Sequence, residues 1–498
     1  MNDKRGHGQN MVTRGRWRTE DSVSAAQFEA VKRAAAANLP EPVTFETQPT
    51  EGPPQHIWQK DHILVHHSVN ETHEALTPLG AELALRPNGM HQEVYPDLVK
   101  LLRLRNPQGQ RTDEIVANLD RIPDLNGKVF VNNLVYATHE DGGNICPGDE
   151  PTPVRPYPHT IPYPPPSRGD AGRGVRIVVI DTGLSEGWRD NHPWLHDPKN
   201  PSNEVTGQRE QKTFDDNRDI ASHAGHGMFI AGLIRCIAPR ASVNVLNTLR
   251  WAGTMLEHEI AYTIREVLTW DPPDIISFSA GYMIHTAEPG GAMSDVMVML
   301  RRPGCPTVLV AAVGNDGHGP KDHGLFYPAA FAGKTRTDVA DGRLVAVGAL
   351  RQDRRGRTCF SNYGSWVTVY EEGEKLINAF PSGRYTYHEP ISSVDPPQCL
   401  YYPNPVSGIM KLQDGCSCVT APAKGGVALF NGMAAWSGTS FATPLVAARI
   451  ARHMTENTEF AGKPRDAVRD LLAGHLDTII DAGDTDTTLP VFSKPLVP

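Results

Sequence analysis

Residues 175–183 have the sequence VRIVVIDTG, a short apolar run that ends in Asp-Thr-Gly. Its β-branched residues and its length predict a buried strand of a parallel sheet. Asp181 stands at the carboxyl end of that strand, and open α/β sheets bind their ligands at this edge. Asp-x-Gly is also common in simple turns, so the segment alone leaves both interpretations open.

The sequence around this strand alternates between strand-like and helix-like runs. Strands are predicted at 175–180, 242–248, 274–279, 307–313 and 344–350, and helices at 226–237, 257–268 and 293–301. Such alternation predicts right-handed βαβ units. We therefore expect an α/β domain over residues 173–480, with a parallel sheet that is covered by helices on both faces.

A second informative segment is GTSFATP at residues 438–444. Pro444 suits the first turn of a helix, where its missing N–H is unpaired in any case. Ser440 would then lie near unpaired backbone N–H groups and the positive end of the helix dipole. This environment favours an oxygen that attacks a carbonyl, although a turn with a helix cap would explain the segment alone.

The segment HGMFIAGLI at residues 226–234 has apolar residues at helical spacing. It predicts a helix with a buried stripe and with His226 at its start. Imidazole can accept the proton of a serine hydroxyl, and a buried aspartate can fix its tautomer. Asp181, His226 and Ser440 therefore form a candidate triad for nucleophilic catalysis.

A fourth segment, VAAVGNDG at residues 310–317, predicts a strand that ends in Gly-Asn. The amide of Asn315 could donate a hydrogen bond to a developing oxyanion, together with the backbone N–H of Ser440. Asn-Asp-Gly is also a common turn sequence, which is the alternative explanation.

These four motifs, in this order, resemble the subtilisin-like serine peptidases, the subtilases, over about residues 173–455. The resemblance implies a subtilisin-like fold and a serine endopeptidase, with Asp181, His226 and Ser440 as the triad and Asn315 as the oxyanion donor. It also implies that an extended peptide adds to one strand of the enzyme. The implied substrate-binding residues are Ser277, Phe278, Ser279, Ala280, Gly281, Ala312, Val313 and Gly314.

Some positions depart from the usual pattern of that family. Tyr282 follows the substrate strand where a glycine is usual, so its ring could narrow or cap the P1 pocket. Two other functions remain open from sequence. The triad could transfer the acyl group to an amine, as in peptide ligation, or the chain could be a non-catalytic module that binds peptides.

Composition limits the partners of the chain. The net charge of -9 over 498 residues argues against nucleic-acid binding, and no stretch is long and apolar enough for a membrane span. The N-terminus lacks the apolar run of a signal peptide, and seven cysteines do not suggest a secreted disulfide framework. We expect a cytoplasmic protein that acts on polypeptides, with secretion by a non-standard route as the alternative. The oligomeric state is not predicted.

The chain divides into five predicted parts. Residues 1–50 are a polar segment, 51–145 a small α+β domain, 146–172 a proline-rich linker, 173–480 the peptidase domain and 481–498 a solvated tail. The α+β domain is expected to contain helices near 77–85 and 112–119. It has the size and position of a propeptide, but a permanent accessory domain is the alternative.

An insertion is predicted within the peptidase domain at 371–431, and it contains Cys399, Cys416 and Cys418. These cysteines could bind zinc or form a disulfide, but a fourth ligand is not evident. We predict no cofactor and no metal ligands. Structural calcium is common in the resembling family, and the sequence provides no matching ligand set.

Overall fold

The computed structural model describes residues 25–36, 43–48, 56–86, 89–90, 92–106, 108–137, 150–190, 192–196, 205–283, 290–317, 325–334, 336–387, 425–481 and 484–496. Part of the predicted insertion lies outside these residues. All three of its cysteines lie in that part. In the described part, Cys236 and Cys305 are free thiols and Cys359 is disulfide-bonded. None of the described helices is both long enough and apolar enough to cross a bilayer.

The N-terminal module comprises the described residues between 25 and 137. Its elements are α1 (Ala25–Ala36), β1 (Phe45–Gln48), β2 (His56–Val65), β3 (Glu82–Leu83), β4 (Lys100–Arg103), α2 (Thr112–Leu119) and β5 (Val129–Ala137). The helix predicted at 77–85 is wrong, because only a 3₁₀ turn forms at Thr77–Leu79. Gly80 ends that turn with a φ of 60°, a conformation that breaks a helix.

The C-terminal domain comprises the described residues from 150 to 496. Its first half contains β6 (Thr152–Pro153), β7 (Arg176–Asp181), β8 (Thr206–Gly207), α3 (His226–Ile237), β9 (Ser242–Asn247), β10 (Thr254–Leu256), α4 (Glu257–Trp270), β11 (Ile275–Phe278), β12 (Ala280–Met283) and α5 (Ala292–Leu300). The second half contains β13 (Val308–Ala312), β14 (Phe326–Tyr327), α6 (Phe331–Lys334), α7 (Arg336–Ala340), β15 (Leu344–Leu350), β16 (Val369–Glu372), β17 (Leu376–Thr386), β18 (Val427–Trp436), α8 (Thr439–Glu456), α9 (Pro464–Gly474), β19 (Leu476–Asp481) and β20 (Asp484–Phe492).

The centre of this domain is a nine-stranded sheet in the order β19-β20-β16-β15-β13-β11-β7-β9-β8. All its pairs are parallel except β19 with β20. Alternate residues of a strand face opposite sides of a sheet. Ile177 and Val179 accordingly face a core with α3 and α8, whereas Val178 and Ile180 face a core with α4 and α5. The predicted α/β class with helices on both faces is confirmed.

A second sheet joins the N-terminal module to the C-terminal domain. Its main path runs β14-β12-β5-β2-β4-β3, with β1 paired to β2 and β10 paired to β5. One face of the module's strands packs on α2, and the other belongs to the same core as α4 and α5. The module is therefore attached both by strand pairing and by a shared apolar core.

The third sheet has the order β17-β18-β6 and covers the side of the domain near α3. Thr152 and Pro153, from the predicted proline-rich linker, pair with β18. The described ends of the predicted insertion therefore pair with each other as β17 and β18. Strand β18 also pairs with β6 at the start of the C-terminal domain.

The prediction that residues 481–498 form a solvated tail is wrong for the described part. Strand β20 pairs with β16 through Tyr370 and Val491, and it also pairs with β19, which forms the edge of the central sheet. Asp481 is fully buried and forms an ion pair with Arg357, with Nε and Oδ2 3.1 Å apart. Thr487, Leu489 and Val491 are buried and Thr488 is exposed, so one side of this strand faces the core.

Candidate active site

Asp181 and His226 meet at the carboxyl edge of the central sheet. Nδ1 of His226 donates to Oδ1 of Asp181 over 2.8 Å, and the two residues are 2% and 0% exposed. The same carboxylate oxygen accepts the backbone N–H of Thr182 at 2.7 Å. This contact assigns the proton of the neutral imidazole to Nδ1 and leaves Nε2 as an acceptor.

The start of α3 is held against the end of β7 by close backbone packing. A Cβ atom on Gly227 would lie 2.6 Å from the carbonyl oxygen of Gly183, so only glycine fits there. The N–H of Gly227 also donates to Oγ1 of Thr182 at 3.1 Å. The Asp-Thr-Gly and His-Gly motifs thus interlock, which fixes the separation of Asp181 and His226.

Glu210 supports the same corner, although no sequence motif indicated it. Its carboxylate accepts the N–H of Gly225 at 2.9 Å and the hydroxyl of Thr213 at 2.6 Å. Burial raises the pKa of Glu210 to about 7, and the nearby charge of Asp181 adds to this shift. The residue before His226 is therefore anchored by a buried carboxyl.

Ser440 is the second residue of α8 and is 2% exposed. Its Oγ donates to the carbonyl oxygen of Ser279 at 3.2 Å, and the Ser279 hydroxyl donates to the carbonyl of Ser440 at 2.8 Å. The ring of Phe441, the next residue, lies 5.1 Å from the His226 ring between centroids. The first turn of α8 thus lies beside both His226 and the segment that precedes β12.

Asn315 follows β13 and faces the start of α8. Its Oδ1 accepts the backbone N–H of Thr439 at 3.0 Å and the Thr439 hydroxyl at 2.9 Å. Because a backbone N–H can only donate, the carboxamide oxygen must point at Thr439. The orientation of the amide is therefore fixed by the residue next to Ser440.

Strand β5 of the N-terminal module lies between β10 and β12, beside these residues. The space between β10 and β12 is called the groove below. β5 is antiparallel to two strands at once, with Tyr136 opposite Gly281 of β12 and opposite Thr254 of β10. Ala137 is opposite Ala280, and its N–H donates to the carbonyl of Gly253 at 2.8 Å. Ala280 directly follows Ser279, which contacts Ser440, so the described part of β5 ends beside this segment.

The residues predicted to bind substrate divide into two groups. Ser277 and Phe278 belong to β11, which is paired on both sides by β7 and β13. Their backbone groups are engaged in the central sheet, so their prediction as a substrate-pairing edge is wrong. Ser279 contacts Ser440, while Ala280 and Gly281 pair with β5.

The segment from β13 to Asn315 consists of Ala312, Val313 and Gly314, and its backbone is hydrogen-bonded to Asn362. The amide of Asn362 donates to the carbonyl of Val313 at 2.8 Å, and its backbone N–H donates to the carbonyl of Gly314 at 3.0 Å. Gly314 has a φ of 94°, where a side chain would be strained. The loop that carries Asn315 therefore has a defined conformation.

The ring of Phe326 lies between the two segments implied as substrate-binding. A Cβ atom on Gly281 would lie 2.3 Å from its Cε1, and one on Gly314 would lie 2.9 Å from its Cγ. Tyr282, which the sequence suggested as the narrowing ring, points to Glu257 instead, with its hydroxyl 3.0 Å from Oε2. Phe326 is separated from both motifs in sequence, so no pattern indicated it.

Glu257 connects the N-terminal module to the C-terminal domain. Its Oε1 accepts the backbone N–H of Asn133 at 3.1 Å and the Asn133 side-chain amide at 2.6 Å, while Oε2 accepts the Tyr282 hydroxyl. Burial raises the pKa of Glu257 to about 7, and these hydrogen bonds lower it in part. A buried carboxyl thus contacts the same β5 strand that occupies the groove.

Comparisons with known proteins show the family of this chain. The model of the subtilase family matches residues 172–481. The intracellular serine protease of Paenibacillus polymyxa is 27% identical over 247 residues, which cover 45% of this chain and 64% of that protein. The major intracellular serine protease of Bacillus subtilis (strain 168) is 25% identical over 236 residues, 44% of this chain and 64% of that protein.

Among solved structures, fervidolysin from Fervidobacterium pennivorans, described as a keratinolytic enzyme related to subtilisin, superposes with a TM-score of 0.50. The match covers 88% of this chain and 60% of that one at 17% identity, so it bears on the fold alone. The family match extends over more than half of the chain and includes Asp181, His226, Asn315 and Ser440. The chain belongs to the subtilase family.

Proposed function

We propose that this protein is a serine endopeptidase that hydrolyses peptide bonds through an acyl-enzyme. The observation that supports this most directly is the buried hydrogen bond between His226 Nδ1 and Asp181 Oδ1, next to the helix start that carries Ser440. Asp181 orients His226 and stabilises its protonated form, His226 is the general base, and Ser440 is the nucleophile.

In the proposed mechanism, Nε2 of His226 takes the proton of Ser440 Oγ as that oxygen attacks the peptide carbonyl. The proton then passes from His226 to the leaving amine, and the acyl group stays on Ser440. A water molecule attacks the acyl-enzyme in the second half, with His226 again as the base. His226 then returns the water's proton to Ser440 Oγ as the bond between that oxygen and the acyl group breaks, which releases the acid. His226 gains and loses one proton in each half-reaction, and Asp181 remains a carboxylate throughout.

The oxyanion of the tetrahedral intermediate would be held by the side-chain amide of Asn315 and the backbone N–H of Ser440. Since Thr439 engages the carbonyl end of the amide, the NH₂ end is the part that would donate to the oxyanion. A donor held in place before the reaction costs little reorganisation when charge develops. The geometry of Asn315 therefore supports the role that the resemblance implies.

The experiment that tests this function is labelling with a fluorophosphonate probe, followed by peptide mapping. We expect a label on Ser440 in the wild-type protein and none in Ser440→Ala or His226→Ala. Before labelling, the same preparation should hydrolyse a casein substrate, and labelling should abolish that activity. Labelling that survives Ser440→Ala would place the nucleophile elsewhere, and no labelling before or after removal of the N-terminal module would contradict the proposal.

The substrate class follows from the groove. An extended polypeptide would replace β5 between β10 and β12 and would pair with both through its backbone. The acyl-enzyme would also permit transfer to an amine. Product analysis with an added amine nucleophile separates hydrolysis from ligation, and we expect the hydrolysed acid as the main product.

For the N-terminal module we propose an inhibitory, propeptide-like role. β5 uses the same backbone groups of β10 and β12 that an extended substrate would need. The module also has its own apolar core, with Ile63, Leu102 and Ile115 buried, so it is built as a folded unit. A permanent accessory domain would have no reason to occupy the groove.

We also propose that the protein acts in the cytoplasm. Two of its relatives are named intracellular serine proteases. Fractionation of cells that express the untagged chain would test this, since recovery only in the medium would support export.

A further inference from the structure

Far along α8 from Ser440, three side chains with metal-binding atoms converge. They are His453 near the end of α8, Asp470 on α9 and His475 directly after α9. One nitrogen or oxygen atom of each lies within 4.8 Å of the other two, and in the described part of the chain this is the one such group of three. The group is independent of the proposed peptidase chemistry.

The distances within the group are close to those of a coordination sphere. Nε2 of His453 lies 2.8 Å from Oδ2 of Asp470, and Nε2 of His475 lies 3.5 Å from the same oxygen. Zinc binds nitrogen and oxygen at about 2.0–2.2 Å in tetrahedral sites, which sets two ligands about 3.3 Å apart. The 3.5 Å separation is close to that value, whereas the 2.8 Å contact is a hydrogen bond that would lengthen by about 0.5 Å when an ion binds.

The two rings are oriented by neighbouring groups. The His453 ring stacks on Phe460, with centroids 5.2 Å apart and planes at 25°, and it meets the His475 ring edge-on at 5.3 Å. Nδ1 of His453 lies 3.0 Å from the side-chain amide of Asn457. When Nε2 binds a metal, Nδ1 carries the proton, and a half-turn of that amide would present its oxygen as the acceptor.

The group also has an access route for an ion. It lines a cavity of about 370 Å³ together with Glu456 and Ser493. Two arginines at this cavity are already ion-paired, Arg449 with Glu371 and Arg452 with Glu456. Lys494 also lines it and would lower the affinity for a cation. An ion bound by three protein ligands would have a fourth coordination position for water, as catalytic zinc sites do.

We propose that His453, Asp470 and His475 form a binding site for a divalent transition metal, with zinc as the best fit to two imidazoles and one carboxylate. The ion connects the end of α8 to the end of α9 and to the start of β19. Because α8 carries Ser440 at its other end, the ion stabilises the helix on which the candidate nucleophile stands. The sequence predicted no metal ligands, since His-x16-Asp-x4-His matches no standard spacing.

The test uses the untagged full-length chain with Ser440→Ala, so that self-cleavage cannot interfere. Titration with ZnCl₂ by calorimetry should give one equivalent bound with a micromolar or lower Kd. CoCl₂ should give the visible absorption bands of a low-symmetry cobalt site. Zinc should raise the thermal midpoint, and EDTA should reverse the rise.

Two variants connect the binding to these residues. His475→Gln and Asp470→Asn change side chains that are 43% and 45% exposed, so we expect both to fold. Each should weaken zinc binding at least tenfold and abolish the zinc-dependent rise in the thermal midpoint. His159→Gln, which changes an exposed histidine outside the group, should leave both unchanged.

Two results would overturn the proposal. One is the lack of stoichiometric zinc binding at 1:1 in the parent protein. The other is binding that is equally strong in His475→Gln and in the parent, because the ion would then be held elsewhere. Asn457→Asp offers a further check, since a carboxylate behind His453 should tighten zinc binding.

Discussion

Tyr136 of the N-terminal module and Gly281 of the C-terminal domain are directly opposite each other in an antiparallel pair. The pairing continues to Ala137 and Ala280. Ala280 directly follows Ser279, which contacts Ser440. The module therefore ends, within the described residues, close to the candidate nucleophile. The cleavage site and the inhibition of this protein should both depend on this register.

The first prediction concerns self-cleavage of the chain. Because the register of β5 leads toward Ser440, the purified wild-type protein should yield a fragment that begins after residue 137 and before residue 150. Intact-mass spectrometry with N-terminal sequencing would detect it, and Ser440→Ala should stay whole. An active enzyme that remains full-length would instead favour a permanent accessory domain.

The second prediction is that Asn133→Ala loosens the module. The change removes the side-chain donor to the buried carboxylate of Glu257 and leaves that charge undersatisfied, at a cost of about 1–3 kcal/mol. We expect a lower denaturation midpoint in the Ser440→Ala background and a higher initial rate on peptide substrates in the active chain. Asn118→Ala, at an exposed position on α2, is the matched control and should change neither quantity.

The third prediction is a pH dependence of stability that arises from Glu257. Its pKa rises from 4.5 to about 7 on folding because the carboxyl is buried. A raised acid pKa means that the folded state binds the proton more tightly, so this contribution is present below pH 4.5 and is lost as the pH rises through 7. The free energy of unfolding should fall across that interval by up to about 3 kcal/mol.

Denaturant unfolding of Ser440→Ala from pH 4.5 to 8.5 would measure this effect. Glu257→Gln in the same background carries no titrating carboxyl and should show a flatter profile. A Gln variant with the same slope as its parent would assign the pH dependence to other groups, such as Glu210 or Asp295, whose pKa values are also raised by burial.

The fourth prediction is that Phe326 limits the size of the P1 side chain. Its ring fills the space between Gly281 and Gly314, the two segments that flank the proposed path of the substrate. Wild-type enzyme should prefer small P1 residues, and Phe326→Ala should raise kcat/KM for P1 Phe relative to P1 Ala by at least tenfold. The Phe331 ring packs against Tyr327 with centroids 4.9 Å apart, so Phe331→Ala controls for general loosening and should leave the ratio unchanged.

The fifth prediction separates two tasks of Asn315. Asn315→Asp keeps an oxygen that can accept from Thr439 but loses the NH₂ group, whereas Asn315→Ala loses both. If the NH₂ group holds the oxyanion, both variants should lower kcat by about 10²–10³ with little change in KM. Steady-state kinetics on a peptide substrate decide this, and near-normal turnover in Asn315→Asp would rule out the oxyanion role.

Several features of this protein were predictable because they depend on local sequence. β-branched runs such as 175–180 and the apolar stripe of 226–237 predicted five of the nine strands of the central sheet and the helices α3, α4 and α5 to within about two residues. The order of the motifs gave the family and brought Asp181 and His226 to one edge, since parallel strands share that edge. The errors at 77–85 and 481–498 arose where a glycine or a strand partner, rather than periodicity, decided the outcome.

Other features depend on contacts between residues that are far apart in the chain, which no local pattern encodes. The pairing of β5 with β12 joins residues 143 and 145 positions apart, Ala137 with Ala280 and Tyr136 with Gly281. The ring of Phe326, the buried carboxyl of Glu257 and the convergence of His453, Asp470 and His475 have the same origin. The sequence alone determined the fold and the candidate reacting groups, because strand and helix patterns and motif order are written along the chain. Only the tertiary structure decided what fills the groove and which distant side chains meet, because burial and register arise when the separate elements pack together.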